Sequence, residues 1–198
     1  MSLVYGIGVN NKDRPIREDG KQAKEYKLWC RMLERCSSNF WIKRPTYIGT
    51  TCSDNFKSYS YFYDWCQEQK GFNSKDDDGK SFHLDKDILI KGNKLYSEYT
   101  CVFIPARLNT LLLKVDSKRG EFPIGVALQS GTNRFRAYCQ IEGGKIKHLG
   151  LFNTTQEAFN VYKEFKENTV QEIANKYKDA VDKRVYEAFV NYKVEITD

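Results

Sequence analysis

The sequence predicts an α+β fold, and three observations predict it. Over 25–36, apolar residues recur at spacings of three and four, the period of a helix with one buried face. Over 122–152, three short apolar-alternating stretches are separated by turn residues, as in an antiparallel meander. Directly after them Asn153-Thr154-Thr155-Gln156-Glu157 opens a helix, with Thr154 as N-cap and Glu157 completing a capping box.

The elements follow in order. Residues 1–24 are rich in glycine and charge and predict an irregular arm, with Gly6–Gly8 as a turn rather than a phosphate loop. Tyr26, Trp29, Cys30, Leu33 and Cys36 form the apolar face of the first helix. Residues 37–51, with Pro45 and Gly49, predict a loop. A second helix is expected over 54–69, with Asp54 near its start and Phe56, Tyr59, Phe62, Tyr63 and Cys66 packing in a core rather than forming a base-stacking platform. Residues 71–81 make a surface loop whose Asp76-Asp77-Asp78 run lacks the spaced ligands of a calcium loop. Over 82–113 we expect a strand, a turn at Gly92-Asn93, a strand around Cys101–Ile104 and a short helix after Pro105, then a polar linker over 114–121. The meander reads IGVALQ, a turn at Ser130–Asn133, RFRAYCQI, a turn at Gly143-Gly144, and KIKHLGLF. Ala158, Val161, Tyr162 and Phe165 form the buried face of the capped helix, and two more helical stretches are expected near 168–178 and 180–191.

Composition bounds the function. A chain of 198 residues, 40% hydrophobic and 14% aromatic, can build a packed core, which argues against global disorder. A net charge of +6 permits nucleic acid as a partner without demanding it. No apolar run approaches the roughly 18 residues that a bilayer span needs, and the start of the chain has no charged-then-apolar signal. The expected setting is therefore cytoplasmic, with no membrane partner. The six cysteines are dispersed without a CxxC pair, which predicts free thiols in a reducing compartment. A zinc site from Cys36, Cys52, Cys101 and His83 would lack the close ligand pairs usual for structural zinc, so no cofactor is expected.

Alternation in the second meander strand separates two faces. Phe135, Ala137, Cys139 and Ile141 point toward the following helix, leaving Arg134, Arg136, Tyr138 and Gln140 toward solvent. Residues 122–152 carry Arg134, Arg136, Lys145 and Lys147 against Glu142 alone, a local charge of +3. A flat face with arginine and glutamine can lie in a major groove, where arginine pairs with guanine and glutamine with adenine. The alternative is an outer face that is merely soluble.

The string GVALQ…RFRAYCQI…KHLGLFNTTQEAFNVY resembles the Apetala/ethylene-response-factor (ERF) DNA-binding domain of plants, phages and mobile elements. The resemblance is carried over about 40 residues by Gly125-Val126, Ala137, Leu149-Gly150, Phe152, Thr154, Glu157-Ala158 and Tyr162. It implies that the sheet enters the major groove of double-stranded DNA, with Gln129, Arg134, Arg136, Tyr138, Gln140, Lys145, Lys147 and His148 as the DNA-binding residues. The chain departs from that family at Ala127 and Gln129 of the first strand and at Ile146 and His148 of the third, where arginines and a tryptophan are usual. Its sequence preference is accordingly expected to differ.

Upstream, LDKDILIKGNKLYSEYTCVFIPARLN, preceded by WCRMLERC, resembles the HNH endonuclease module of mobile elements over about 85 residues. The resemblance puts Asp85 in a metal-ligand place and Asn109 in the late asparagine place, both catalytic positions. Lys86 stands where the general-base histidine would, and Thr100 where the middle asparagine would. A protonated lysine is no base at neutral pH, and His83 has the wrong offset from Asp85. The expectation is a degenerate nuclease, with Mg²⁺ as a cofactor only in an active variant using Asp85 or Asp87. Together the resemblances imply a phage or mobile-element protein of a bacterial cell, organised as an arm (1–24), an HNH-like module (25–115), an ERF-type domain (119–166) and a helical extension (167–198). The alternatives are a working metal-dependent endonuclease and a protein-interaction factor that blocks a host enzyme. The oligomeric state is left open.

Overall fold

The computed structural model describes residues 3–112, 121–141 and 145–197, so most of the expected 114–121 linker and the Gly143-Gly144 turn lie outside the described residues. The chain is mixed α/β with small sheets. It divides into two units, Met1–Ile104 with Ala180–Val185, and Pro105–Asp179 with Tyr186–Asp198.

In the first unit the N-terminal arm is tied down. Val4 and Gly8 bridge around a turn, and β1 (Arg17–Glu18) pairs with β2 (Lys21–Gln22). Gly8 lies against α1 (Lys24–Arg35) so closely that a Cβ there would stand 2.2 Å from Leu33 and 2.7 Å from Trp29. Trp29, Met32 and Leu33 form the buried stripe of α1.

The expected loop over 37–51 holds a helix. Ser37 accepts from the Phe40 N–H and caps α2 (Ser38–Lys43), and a 3₁₀ turn follows at Pro45–Tyr47. After β3 (Thr51–Cys52), the helix expected over 54–69 is two helices, α3 (Asp54–Lys57) and α4 (Tyr59–Glu68), capped by Ser53 and Ser58. The arm breaks them apart. The Val9 N–H donates to the Lys57 carbonyl at 2.8 Å, and the Tyr59 N–H donates to the Val9 carbonyl at 2.9 Å, occupying backbone groups that a continuous helix would pair internally. The aromatic run is core: Phe56, Tyr59 and Phe62 are fully buried, and the Trp29 indole N–H donates to the Phe56 carbonyl at 2.8 Å.

The Asp76–Asp78 run closes on itself, Asp76 Oδ1 accepting from the Asp78 and Lys80 N–H groups. Beyond it, β4 (His83–Asp85) awaits its partner, β5 (Leu95–Tyr96) runs parallel to β3, and β6 (Val102–Ile104), wholly buried, pairs antiparallel with β4.

The second unit begins with α5 (Ala106–Leu112), directly after Pro105. Next come β7 (Val126–Leu128), β8 (Phe135–Gln140) and β9 (Ile146–Phe152), an antiparallel sheet in the order β7-β8-β9. The expected capping box is present and opens α6 (Thr155–Lys176). This helix runs 22 residues without the interruption expected near 167, because no glycine or proline falls within it. The last helix, α7 (Lys183–Val190), returns onto α6, with Tyr186 Oη 3.0 Å from Asn175 Oδ1 and Gln171 Nε2 donating to the Val190 carbonyl.

One face of the sheet packs on α6. Val126, Ala137, Cys139, Ala158, Phe159, Tyr162 and Val194 are buried, with Phe135, Leu149, Phe152 and Phe165 against them. Phe159, absent from the expected helix face, belongs to this core, whereas Val161 is only half-buried. Gly125 has φ +76°, and a Cβ there would stand 2.1 Å from the Tyr162 ring, so both the backbone and the ring require glycine.

Candidate nucleic-acid interface

The register of the sheet determines which side chains share its open face. Directly opposed residues on neighbouring strands project to the same side. Arg136 stands opposite Ala127 on β7 and Leu151 on β9, Tyr138 opposite His148, and Gln140 opposite Ile146. These residues lie on the side away from α6. Ala137 and Cys139, on the other side, are buried, as the alternation predicts.

A bulge between Ala137 and Tyr138 shifts the pairing from Gly150 to His148 and leaves Leu149 as the extra residue of β9. Leu149 packs against the core, and Leu151 is thereby turned onto the open face, where it is 40% exposed; Ile146 is 57% exposed. Leu151 is not among the residues expected on this face from the sequence. Its signal is Gly150, a glycine inside a strand, which marks a bulge.

The predicted residues do not all meet on this face. Arg134 is exposed and donates through Nη2 to the Leu151 carbonyl at 2.7 Å. The half-buried Arg136 guanidinium lies 5.4 Å from the Tyr138 ring, and its Nε is buried with no hydrogen-bond partner among the described residues. Gln140 and His148 are exposed. Gln129 and Lys145 sit at strand ends, where the Gln129 N–H donates to the Arg134 carbonyl and the Lys145 carbonyl accepts from the Ile141 N–H. Lys147 is on the other side: it opposes Cys139, and its ammonium lies 4.5 Å from the Phe165 ring of α6. The cation thus sits over that ring on the helix side of the sheet. The one acid of 122–152, Glu142, lies outside the described residues. The open face is thus a cationic and amide-bearing surface interleaved with aromatic and aliphatic groups.

In the first unit the nuclease-like residues cluster differently. Asp85 ends β4, and its Oδ1 accepts from the Asp87 and Ile88 N–H groups at 2.9 and 2.8 Å. Burial, then repulsion from Asp87, pushes its carboxyl up to about 6 against those two hydrogen bonds. Lys86 is buried and donates to Asp87 Oδ2 at 3.0 Å and to the Asn93 carbonyl at 2.8 Å. Thr100 is buried too, its hydroxyl donating to the Leu95 carbonyl at 2.7 Å. His83 lies two residues before Asp85 on the same strand, its imidazole held below the usual range by burial and by Arg35 and Arg31. Asn109 lies on α5, in the other unit, its N–H donating to the Pro105 carbonyl.

Of the four zinc candidates, the Cys36 and Cys52 thiols interact with each other, the Cys36 thiol pKa being pushed up and the Cys52 thiol pKa down. Among the described residues no group of three or more His, Cys, Asp or Glu side chains is placed to hold a metal ion, and no helix is long and apolar enough to cross a membrane. No family model, curated protein or solved structure matches the chain.

Proposed function

We propose that the protein binds double-stranded DNA, laying the open face of β7–β8–β9 in the major groove, and that the β4–β6 region is a nuclease-like module that does not cut. The observation that carries the first part is Arg136 at the centre of that face, with Arg134, Tyr138, Gln140 and His148 beside it. Arginine and glutamine supply the donors and acceptors that base edges demand, and tyrosine adds a flat contact. The ERF-like string supports the same reading. So do the HNH-like residues, which favour a protein of phage or mobile-element type.

For the second part, Lys86 is an ammonium held by two acceptors, and the Asp85 Oδ1 is occupied by two backbone donors. The Lys86 ammonium has no free lone pair with which to activate water, and backbone donors already claim one of the two Asp85 carboxylate oxygens.

The exposed Ile146 and Leu151 favour a second reading, a protein-interaction face. Salt separates the two, because phosphate contacts release counterions and make DNA affinity fall steeply with ionic strength. The test is fluorescence anisotropy on duplex DNA across a salt series. Arg134→Ala/Arg136→Ala should weaken binding by at least about tenfold, since a good base contact is worth about 1–3 kcal/mol, and leave the melting temperature nearly unchanged. Binding that survives both changes at moderate salt excludes the sheet as the reader. In parallel, supercoiled plasmid should stay intact with Mg²⁺ or Mn²⁺. Nicking that disappears in Asp85→Ala would make the module a working nuclease.

A further inference from the structure

We infer that the open face reads thymine through the C5-methyl group, with Leu151 and Ile146 as the contacting side chains. The inference rests on the DNA-binding reading above and adds which base feature is recognised. Single aliphatic side chains in water are ordinary on any protein surface. These two differ in position. Leu151 stands directly across from Arg136, with Ala127 on the far side of the same row, and Ile146 stands directly across from Gln140. Each polar reader therefore has an aliphatic neighbour on the adjacent strand, about 5 Å away.

The bulge is what brings Leu151 to this face. Uninterrupted alternation from His148 would turn Leu151 inward; the shift at Ala137/Tyr138 places it on the open side instead. Arg134 donates to the Leu151 carbonyl, so the backbone carrying this aliphatic group is held by one of the cations of the same face.

A major groove offers these side chains few complements. Its floor presents ring nitrogens, carbonyl oxygens and amino groups, and the thymine methyl as its apolar feature. An aliphatic side chain pressed against N7, O6 or an amino group strips water from a polar atom and returns nothing, whereas against a methyl it removes apolar surface on both sides. The charge of the face agrees with this occupant: Arg134 and Arg136 make it cationic, as a polyanion requires. The row Ala127–Arg136–Leu151 then fits a guanine with thymine beside it, and the pair Gln140–Ile146 an adenine with thymine beside it.

The experiment uses the full chain and duplexes selected on it from a random pool amplified with dTTP. The selected sequences are re-amplified with dUTP, which removes every C5-methyl and leaves the hydrogen-bonding edges unchanged. The two sets are compared by anisotropy competition. The uracil duplexes should bind about fourfold more weakly for each methyl group that Leu151 or Ile146 covers. Leu151→Ser/Ile146→Ser should bind thymine and uracil duplexes equally, near the wild-type affinity for uracil. Equal binding of the two duplex sets by the unaltered protein overturns the inference while leaving DNA binding in place, and discrimination that persists undiminished in the double variant overturns it too. Failure to bind either duplex overturns the DNA-binding reading and the inference with it.

Discussion

Lys86 and Arg136 are two cations at or beside a β-strand, one in each unit, and their surroundings are opposite. The Lys86 ammonium donates to Asp87 and to the Asn93 carbonyl, and the Asn93 side-chain amide donates back to the Lys86 carbonyl at 2.6 Å. Arg136, on the open side beside Tyr138, His148 and Leu151, has its buried Nε without a hydrogen-bond partner among the described residues. Around Asp85, Lys86 and Thr100 the polar groups are consumed by the backbone around them, so they hold the β4–β5 connection in shape. Across the open sheet Arg134 donates to the Leu151 carbonyl, while the Arg136 Nε has no partner among the described residues. Buried polar groups are normally hydrogen-bonded, and the contrast between these two cations is what the proposed DNA-facing role of the sheet rests on.

The sharpest test of that contrast lies within β8 itself. Phe135 packs on the core, 5.5 Å from the Phe122 ring and opposite Phe152. Phe135→Ala should destabilise the second unit by about 2–4 kcal/mol through reduced burial and the cavity left behind, and DNA binding should fall with it. Tyr138→Ala, three residues on and on the open side, should lower affinity with little change in melting temperature. Thermal melts with anisotropy on both variants check the register. If Tyr138→Ala melts the unit and Phe135→Ala does not, the faces are exchanged and the proposed DNA-facing row goes with them.

The cations themselves supply the next comparison. Lys86→Met keeps most of the stem but leaves Asp87 and the Asn93 carbonyl without their donor, and should cost about 1–3 kcal/mol. Arg136→Met removes no hydrogen bond among the described residues and should stay within about 0.5 kcal/mol of the starting stability. Urea titrations of both variants give the difference. Equal losses would mean that Arg136 is as much a structural residue as Lys86.

These tests also separate what was legible in the sequence from what was not. The ERF-like positions all have packing or capping work. Gly125 accommodates Tyr162, Ala137 and Ala158 bring the sheet onto α6, Gly150 opposes Ala137, Phe152 joins the core, and Thr154 and Glu157 close the capping box. Such residues are constrained by geometry, so the sheet and its helix could be expected from the string alone. The open face carries no such constraint, and there the string is a poorer guide. Lys147 counts toward a basic patch in the sequence yet lies over Phe165 on the helix side, and Leu151 reaches the open face through a bulge that strict alternation does not contain. In the first unit the break at Ser58 escaped detection because its cause is non-local. Val9 pairs there from nearly fifty residues upstream.

Glu167 tests the contrast at its weakest point, a polar cluster of the second unit that is satisfied internally. Its carboxylate accepts from the Val194 N–H at 2.9 Å and pairs with Lys193 at 3.1 Å and Lys163 at 3.4 Å, drawing the C-terminal segment onto α6. Burial alone would raise its pKa, but the Val194 N–H and the two lysines outweigh it, and the net shift is downward. The folded state therefore favours the anion. Its contribution is fully present above the ordinary glutamate value of about 4.3 and is lost as pH falls through the lower folded value. Glu167→Gln keeps an acceptor for Val194 and loses the charge, so at neutral pH it should cost about 0.5–1 kcal/mol, since both lysines are partly exposed and screened. Amide hydrogen exchange at Val194, followed between neutral pH and the acid range, reads this directly. Protection should decline with acid in the unaltered chain beyond the exchange chemistry itself, and should show little such decline in Glu167→Gln. A Val194 amide equally protected in both chains at every pH would mean that the buried Val194 side chain, not the carboxylate, holds the segment down.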